Sequence, residues 1–222
     1  MNLRPLLVLA GLVLATRLPA ADFAASAPDE SKYDKVLQAE LLAIRDADQS
    51  PRLAYEAVGK RSGWNSPDLQ PLAEAMRKAD DANLPRVIAI LDQHGWVGTD
   101  VVGPLAADTL FLVVQHSNTA TQKKYLPLLR AAVQQGKANA GSLAMMEDRV
   151  AVAEGRPQLY GTQLYSDAFN PTMRLRPIED PEHVDERRAA VGLSPMAEYL
   201  KHWNLTWDAK AFAEAQAQAA AK

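Results

Sequence analysis

Three consecutive charges, Glu147-Asp148-Arg149, stand inside a segment that otherwise reads as a buried helix. Ser142-Leu143-Ala144-Met145-Met146 precedes them and Val150-Ala151-Val152-Ala153 follows. On a wheel of about 100° per residue, Glu147 falls with Leu143, Met146 and Val150. Asp148 falls between Ala144 and Val152, and Arg149 between Met145 and Ala153. No wholly polar face is left, so the three charges leave the helix in three directions. An unpaired buried charge costs several kcal/mol, roughly the whole margin by which a domain is stable. Each of these groups therefore needs a partner, either another residue or a ligand. The apolar run Thr109-Leu110-Phe111-Leu112-Val113-Val114 poses the same question where it ends in Gln115-His116.

The chain opens in the order of a secretory leader. Met1-Asn2-Leu3-Arg4 is a short basic start, residues 5–15 are apolar, and Leu18-Pro19-Ala20 supplies small residues for cleavage. The apolar run falls short of the roughly 20 residues that span a bilayer. This predicts a signal peptide over 1–20, a flexible lead-in over 21–29, and a mature protein that is periplasmic or secreted, with no integral membrane segment after cleavage. The chain has no cysteine, so an exported protein of this sequence has neither disulfides nor thiol chemistry. Loss of Arg4 and Arg17 with the leader leaves 22 basic residues against 27 acidic ones, a formal charge of −5 rather than −3. That acidity, with no basic patch interleaved with aromatics, argues against nucleic acid as a partner.

Beyond the lead-in the pattern is helical. Val36, Leu37, Leu41 and Ile44 recur at helical spacing over 30–48. Helix starts are expected at Ser50-Pro51, Ser66-Pro67, Asn83-Leu84-Pro85 and Gly103-Pro104, where a proline suits the first turn. Thr119 and Gln122 have capping-box spacing, Gly136 stops that helix, and Gly155 stops the one holding Glu147. The period then changes. Residues 158–165 and 173–176 suit two strands joined by a loop containing Asn170-Pro171. Asp180-Pro181 and Ser194-Pro195 begin two further helices, and an alanine-rich tail that reads as a frayed helix closes the chain. The expected fold is mainly α, a single helical domain over 30–207 with one small β-hairpin late in the chain, and a tail over 208–222.

His116 ends an apolar helix, where the helix dipole alone is a reason for a histidine; the functional reading makes it a general base, with Glu147 or Asp148 orienting it. Arg187 and Arg188 flank the Val184/Val191 stripe, so their heads can reach acidic groups, either Glu147 and Asp148 or the adjacent Asp185 and Glu186. Gln158, Tyr160 and Thr162 share a strand face while Gln163 takes the other, and Gly161 marks a bulge or a close backbone approach. The candidate catalytic set is thus His116, Glu147 and Asp148. The candidate ligand-binding set is Gln115, Arg149, Gln158, Tyr160, Thr162, Gln163, Arg187 and Arg188. His94, His116, His183 and His202 show no metal-binding spacing, and there is no nucleophile elbow, phosphate loop or dinucleotide fingerprint, so no metal or cofactor is expected.

These elements together resemble a bacterial domain family of unknown function. The resemblance rests on Asp81-Ala82-Asn83-Leu84, His94-Gly95-Trp96, Gln115-His116, Glu147-Asp148-Arg149, Tyr160-Gly161-Thr162-Gln163 and Asp185-Glu186-Arg187-Arg188 with Val191-Gly192-Leu193. It covers roughly residues 80–200 and departs at Val97, where proline is usual. It implies no activity, substrate or cofactor, but it implies that the polar elements belong to one unit.

Three functions fit this reading. One is an exported, hydrolase-like enzyme acting on a polar envelope or extracellular metabolite. The second is a non-catalytic module that binds a small polar ligand or envelope component in the same pocket. The third is a structural or interaction protein in which the polar set is only a buried network.

Overall fold

The computed structural model describes residues 30–166 and 173–220. The leader, the lead-in and the Asn170-Pro171 loop expected from the sequence lie outside the described residues. Among those residues the chain is mainly helical, with one two-stranded antiparallel sheet late in the sequence. No described helix is long and apolar enough to cross a membrane. The chain forms two compact units, one ending at Ser142 and the next beginning at Leu143.

The first unit is built on α1 (Lys35–Ser62), α2 (Leu69–His94), the short α3 (Thr99–Val102), α4 (Pro104–His116) and α5 (Thr119–Gln134). Asp34 caps α1 by accepting the Val36 and Leu37 N–H groups, satisfying donors that no helical carbonyl reaches. Pro104 opens α4 as expected, and nine of its residues, Gln115 among them, are buried. This helix is the hub, in contact with α1, α2, α3 and α5. Two expected helix starts are not starts: Pro51 lies inside α1 and Pro85 inside α2. Each ring removes one helical hydrogen bond, to Ala47 O and Asp81 O respectively. The helices continue because α1 and α2 pack against each other and against α4, and packing outweighs one missing bond. The cap of α5 is Asn118, which accepts from Thr121 N–H, one residue before the expected Thr119. Gln122 does not close a capping box; its side chain donates to Gln115 O and Ser117 O, tying α5 to the end of α4.

The second unit carries most of α6 (Ala140–Ala153), the hairpin β1 (Leu164–Tyr165) and β2 (Arg174–Leu175), then α7 (Val184–Ala190), α8 (Met196–Lys201) and α9 (Ala209–Ala220). The strands pair Leu164 with Leu175 and Tyr165 with Arg174. Ile178, Val184, Met196 and Leu200 form its buried core, with Leu164, Leu175, Tyr199, Trp203, Trp207 and Phe212 packed around them. The alanine-rich tail is bound to this unit. The Gln216 amide accepts from Ile178 N–H and donates to Ile178 O, both at 2.9 Å, as a neighbouring strand would.

Candidate functional site

The polar cluster of the first unit grows out of the apolar stripes of its helices. Along α1, Leu37, Leu41 and Ile44 are buried, and Asp48 continues the same stripe within about 40°. Asp48 is fully buried, and Arg52 follows one turn later. On α2, Asp80 shares the stripe of Asn83 and Val87, which are also buried. His116 ends α4. Contact of α1 and α2 with α4 brings these four side chains together.

The geometry fixes the state of the imidazole. His116 Nδ1 lies 3.2 Å from Asp48 Oδ1, and Arg52 Nε donates to His116 Nε2 at 3.3 Å. Because Nε2 receives a proton donor, the ring proton is on Nδ1, directed at the carboxylate. Arg52 Nη2 reaches Asp80 Oδ1 at 2.6 Å and stands 3.7 Å from Asp48 Oδ1. Gln49 donates to the other Asp48 oxygen at 2.6 Å. Burial holds His116 below its ordinary pKa, and the Arg52 charge adds to that, outweighing the hydrogen bond and charge of Asp48. For Asp48, burial pushes upward, but the bond and charge of His116 with the charge of Arg52 leave it below the ordinary carboxylate value. For Asp80 the balance is opposite: burial prevails over Arg52 and raises it. At neutral pH the cluster is therefore a neutral imidazole between a low-pKa and a high-pKa carboxyl group, with one guanidinium among them.

His116 and Asp80 line a cavity of about 300 Å³ whose other walls are Arg77, Asp81, Leu84, Val113, Ser117 and Asn118. One ligand atom from each of Asp48, Asp80 and His116 lies within 4.8 Å of the other two, a nitrogen-and-oxygen set of the kind divalent cations take. The Arg52 guanidinium already stands against all three, so an ion would have to displace it. Arg52 Nη1 is enclosed and has no hydrogen-bond partner among the described residues, and neither has Gln115 Nε2. The Gln115 backbone carbonyl accepts from the Gln122 amide.

The remaining expected site residues belong to the second unit, where most serve the chain itself. Asp148 is buried on α6 and accepts four donors from one loop: Leu159 N–H at 2.7 Å, Tyr160 N–H at 3.0 Å, Thr162 N–H at 3.0 Å and Thr162 Oγ1 at 2.9 Å. Burial raises its pKa against the pull of those bonds, yet every partner donates, so the loop requires the carboxylate. Gln158 is fully buried; its amide donates to Gln163 O and Arg176 O and accepts from Gln163 N–H. The Gln163 amide donates to Thr162 Oγ1 and reaches Met145 O. Arg187 donates to the carbonyls of Leu159, Glu179 and Asp180, and Arg188 to those of Ser194 and Tyr160. These arginines thus bond main-chain oxygens rather than the acids expected from the sequence, and Arg187 Nη1 also stands 3.8 Å from Asp180 Oδ2. The reason is that the lone pairs of Asp148 are taken by amides, and Asp185 caps α8 by accepting from Met196 N–H. Glu147 is half-buried and its charge acts on the Tyr160 hydroxyl. Gly161 has φ of 68°, and a Cβ there would fall 2.8 Å from Met196 Sδ, so its close approach is to the core.

Asp48, Arg52 and Asp80 were not reached by sequence reasoning. The signal was the one used for Asp148, an acid on a buried stripe, but it disappears when α1 is ended at Asp48 and α2 is divided at Pro85. No curated protein and no solved structure matches the chain. A family model matches residues 35–211, which span both units and all the polar elements above, and the chain therefore belongs to the family of unknown function DUF6624.

Proposed function

We propose that this chain is a hydrolase-like enzyme that acts outside the cytoplasm on a polar envelope or extracellular metabolite, with its acid–base centre in the cavity of the first unit. The single observation that carries this reading is a neutral imidazole at a cavity wall, its Nδ1 proton directed at buried Asp48 and its Nε2 lone pair accepting from Arg52 Nε. In such an arrangement Nε2 takes a proton from water, Asp48 stabilises the imidazolium that results, and Arg52, released from Nε2, turns toward developing negative charge. Asp80 lines the same cavity and is placed to relay a proton toward a leaving group. The leader-like order of residues 1–20 supports the compartment.

The test is turnover of p-nitrophenyl acetate and p-nitrophenyl phosphate by the purified chain and its His116→Asn variant. A general base contributes about 100-fold or more, so the variant should lose at least that much while remaining folded by circular dichroism. Turnover that survives the substitution, or none with either ester, overturns hydrolysis. A second reading, a non-catalytic binding module, is favoured by one specific fact: Arg52 already occupies Nε2. It predicts a small polar molecule retained in native mass spectra without turnover.

A further inference from the structure

Three arginines belong to the polar elements of the second unit, and two of them are engaged by backbone oxygens. Arg187 gives Nε to Leu159 O and Nη2 to two further carbonyls. Arg188 gives Nε to Ser194 O and Nη1 to Tyr160 O, both at 2.6 Å, and its guanidinium stacks 4.8 Å from the Tyr199 ring centre. Arg149 has no such partner. Its Nε is shut off from solvent and makes no hydrogen bond, and no carboxylate among the described residues pairs with it. The acid beside it in sequence is committed elsewhere: both oxygens of Asp148 are held by the 159–162 loop.

A guanidinium in that position is physically incomplete. Enclosed charges in folded proteins are paired, because the lost hydration is not otherwise replaced. Burial is sufficient to push Arg149 down to about 10, with only the weak influence of Tyr199 opposing it. The Tyr199 hydroxyl donates to Thr162 O at 2.9 Å, and no hydrogen bond joins it to Arg149. The residue is not sealed in, however; part of it stays exposed to solvent. A planar, forked donor on a partly exposed residue, lacking an acceptor, matches a small oxyanion, whose paired oxygens meet two N–H groups at once.

We propose that Arg149 anchors a binding site for a small oxyanion, a carboxylate or phosphate group, on the second unit. The site is independent of the acid–base centre proposed for the first unit. It accounts for a charge that the fold leaves without a use, whereas its neighbours Asp148, Arg187 and Arg188 are explained by the loop they hold.

The experiment is thermal unfolding of the full chain, at constant ionic strength, against increasing sodium phosphate, sodium succinate or sodium chloride. Phosphate or succinate should raise Tm in a saturable manner by about 2 °C or more, with chloride flat; whichever of the two acts at lower concentration identifies the ligand class. Arg149→Met should abolish the response and, with no anion added, leave Tm unchanged or higher, since an unpaired enclosed charge has been removed. Should that variant fail to fold, Arg149→Lys keeps the charge but loses the fork, and calorimetric titration with phosphate or succinate should show at least about tenfold weaker binding. An absent or non-saturable response in the native chain, an equal response in Arg149→Met, or equal binding by Arg149→Lys overturns the proposal.

Discussion

His116 Nδ1 and Asp48 Oδ1 lie 3.2 Å apart although 68 residues separate them in the chain. That one contact joins the end of α4 to the middle of α1, and Arg52 completes it from the next turn of α1. It converts a buried carboxylate from a liability into half of an ion-and-hydrogen-bond unit.

Removing the carboxylate should therefore be costly. Asp48→Ala leaves Arg52 and His116 without their shared acceptor in an enclosed position, and unfolding in urea should show a loss of about 3–5 kcal/mol. Asp48→Asn, which keeps an oxygen for Nδ1–H, should cost less. Equal stability of the native chain and Asp48→Ala would mean that the cluster contributes nothing to the fold.

The cluster also sets a pH dependence. His116 has a folded pKa below its ordinary 6.5. Between those two values the unfolded chain binds a proton that the folded chain refuses, so stability falls as pH drops from about 6.5 toward the folded value and is flat below it. Asp48, with a folded pKa below 3.8, acts in a separate window: its contribution is complete above 3.8 and is lost as pH falls through the folded value. Asp80, raised, works in the opposite sense above 3.8. His116→Asn should remove the slope just below pH 6.5 in urea midpoints measured along a pH series, and weaken the acid limb, because the His116 bond and charge help to hold Asp48 low.

Asp148→Asn tests the loop clamp. The substitution places an amide N–H₂ where only donors converge, and hydrogen bonds to a charged acceptor are worth about 1.5–3 kcal/mol each. A loss of about 3 kcal/mol or more is expected. Hydrogen exchange at the amides of Leu159, Tyr160 and Thr162 should quicken before that of the rest of the unit, since only one uncharged oxygen remains where two carboxylate oxygens accepted those three N–H groups.

Two glycines with the same backbone sign separate strain from crowding. Gly161 and Gly136 both have φ of 68°, but nothing lies within 4 Å of a Cβ at Gly136. Gly136→Ala should cost about 1–2 kcal/mol from the left-handed conformation alone. Gly161→Ala adds the collision with Met196, and should cost about 2–4 kcal/mol in total. Gly161→Ala combined with Met196→Ala should recover less than the full difference, because the shorter residue 196 relieves the collision but empties the core.

The docked tail gives the last expectation. Gln216→Ala removes both hydrogen bonds to Ile178 and leaves the N–H and C=O of that buried residue without these partners, at a cost of about 1–3 kcal/mol. The Ile178 amide should lose its exchange protection while α6 keeps its own.

Much of the local architecture was legible in the sequence. Pro104 and the glycines at 136 and 155 delimit helices by backbone chemistry that needs no tertiary partner, and the change of pattern announces a late hairpin. Residues 158–163, expected in its first strand, instead form the loop held by Asp148, and the strands that pair are Leu164–Tyr165 and Arg174–Leu175. The need of Asp148 for partners was likewise visible, because an acid between alanine and valine on an apolar helix cannot remain solvated. The identity of those partners was not. Loop amides, rather than arginines, satisfy Asp148, and a choice between acceptors of similar strength is made by which donors the folded chain holds in place. Pro51 and Pro85 were misleading for the same reason: locally each proline is a stop, while contact with neighbouring helices carries α1 and α2 through. With α1 ended at Asp48 and α2 divided at Pro85, Asp48 and Asp80 lose their places on buried stripes, and His116 loses its partner. The sequence by itself determined that buried polar groups exist and that the chain is mainly helical with a late hairpin; only the tertiary structure decided that His116 meets Asp48, because a hydrogen bond across 68 residues depends on helix packing that no local pattern encodes.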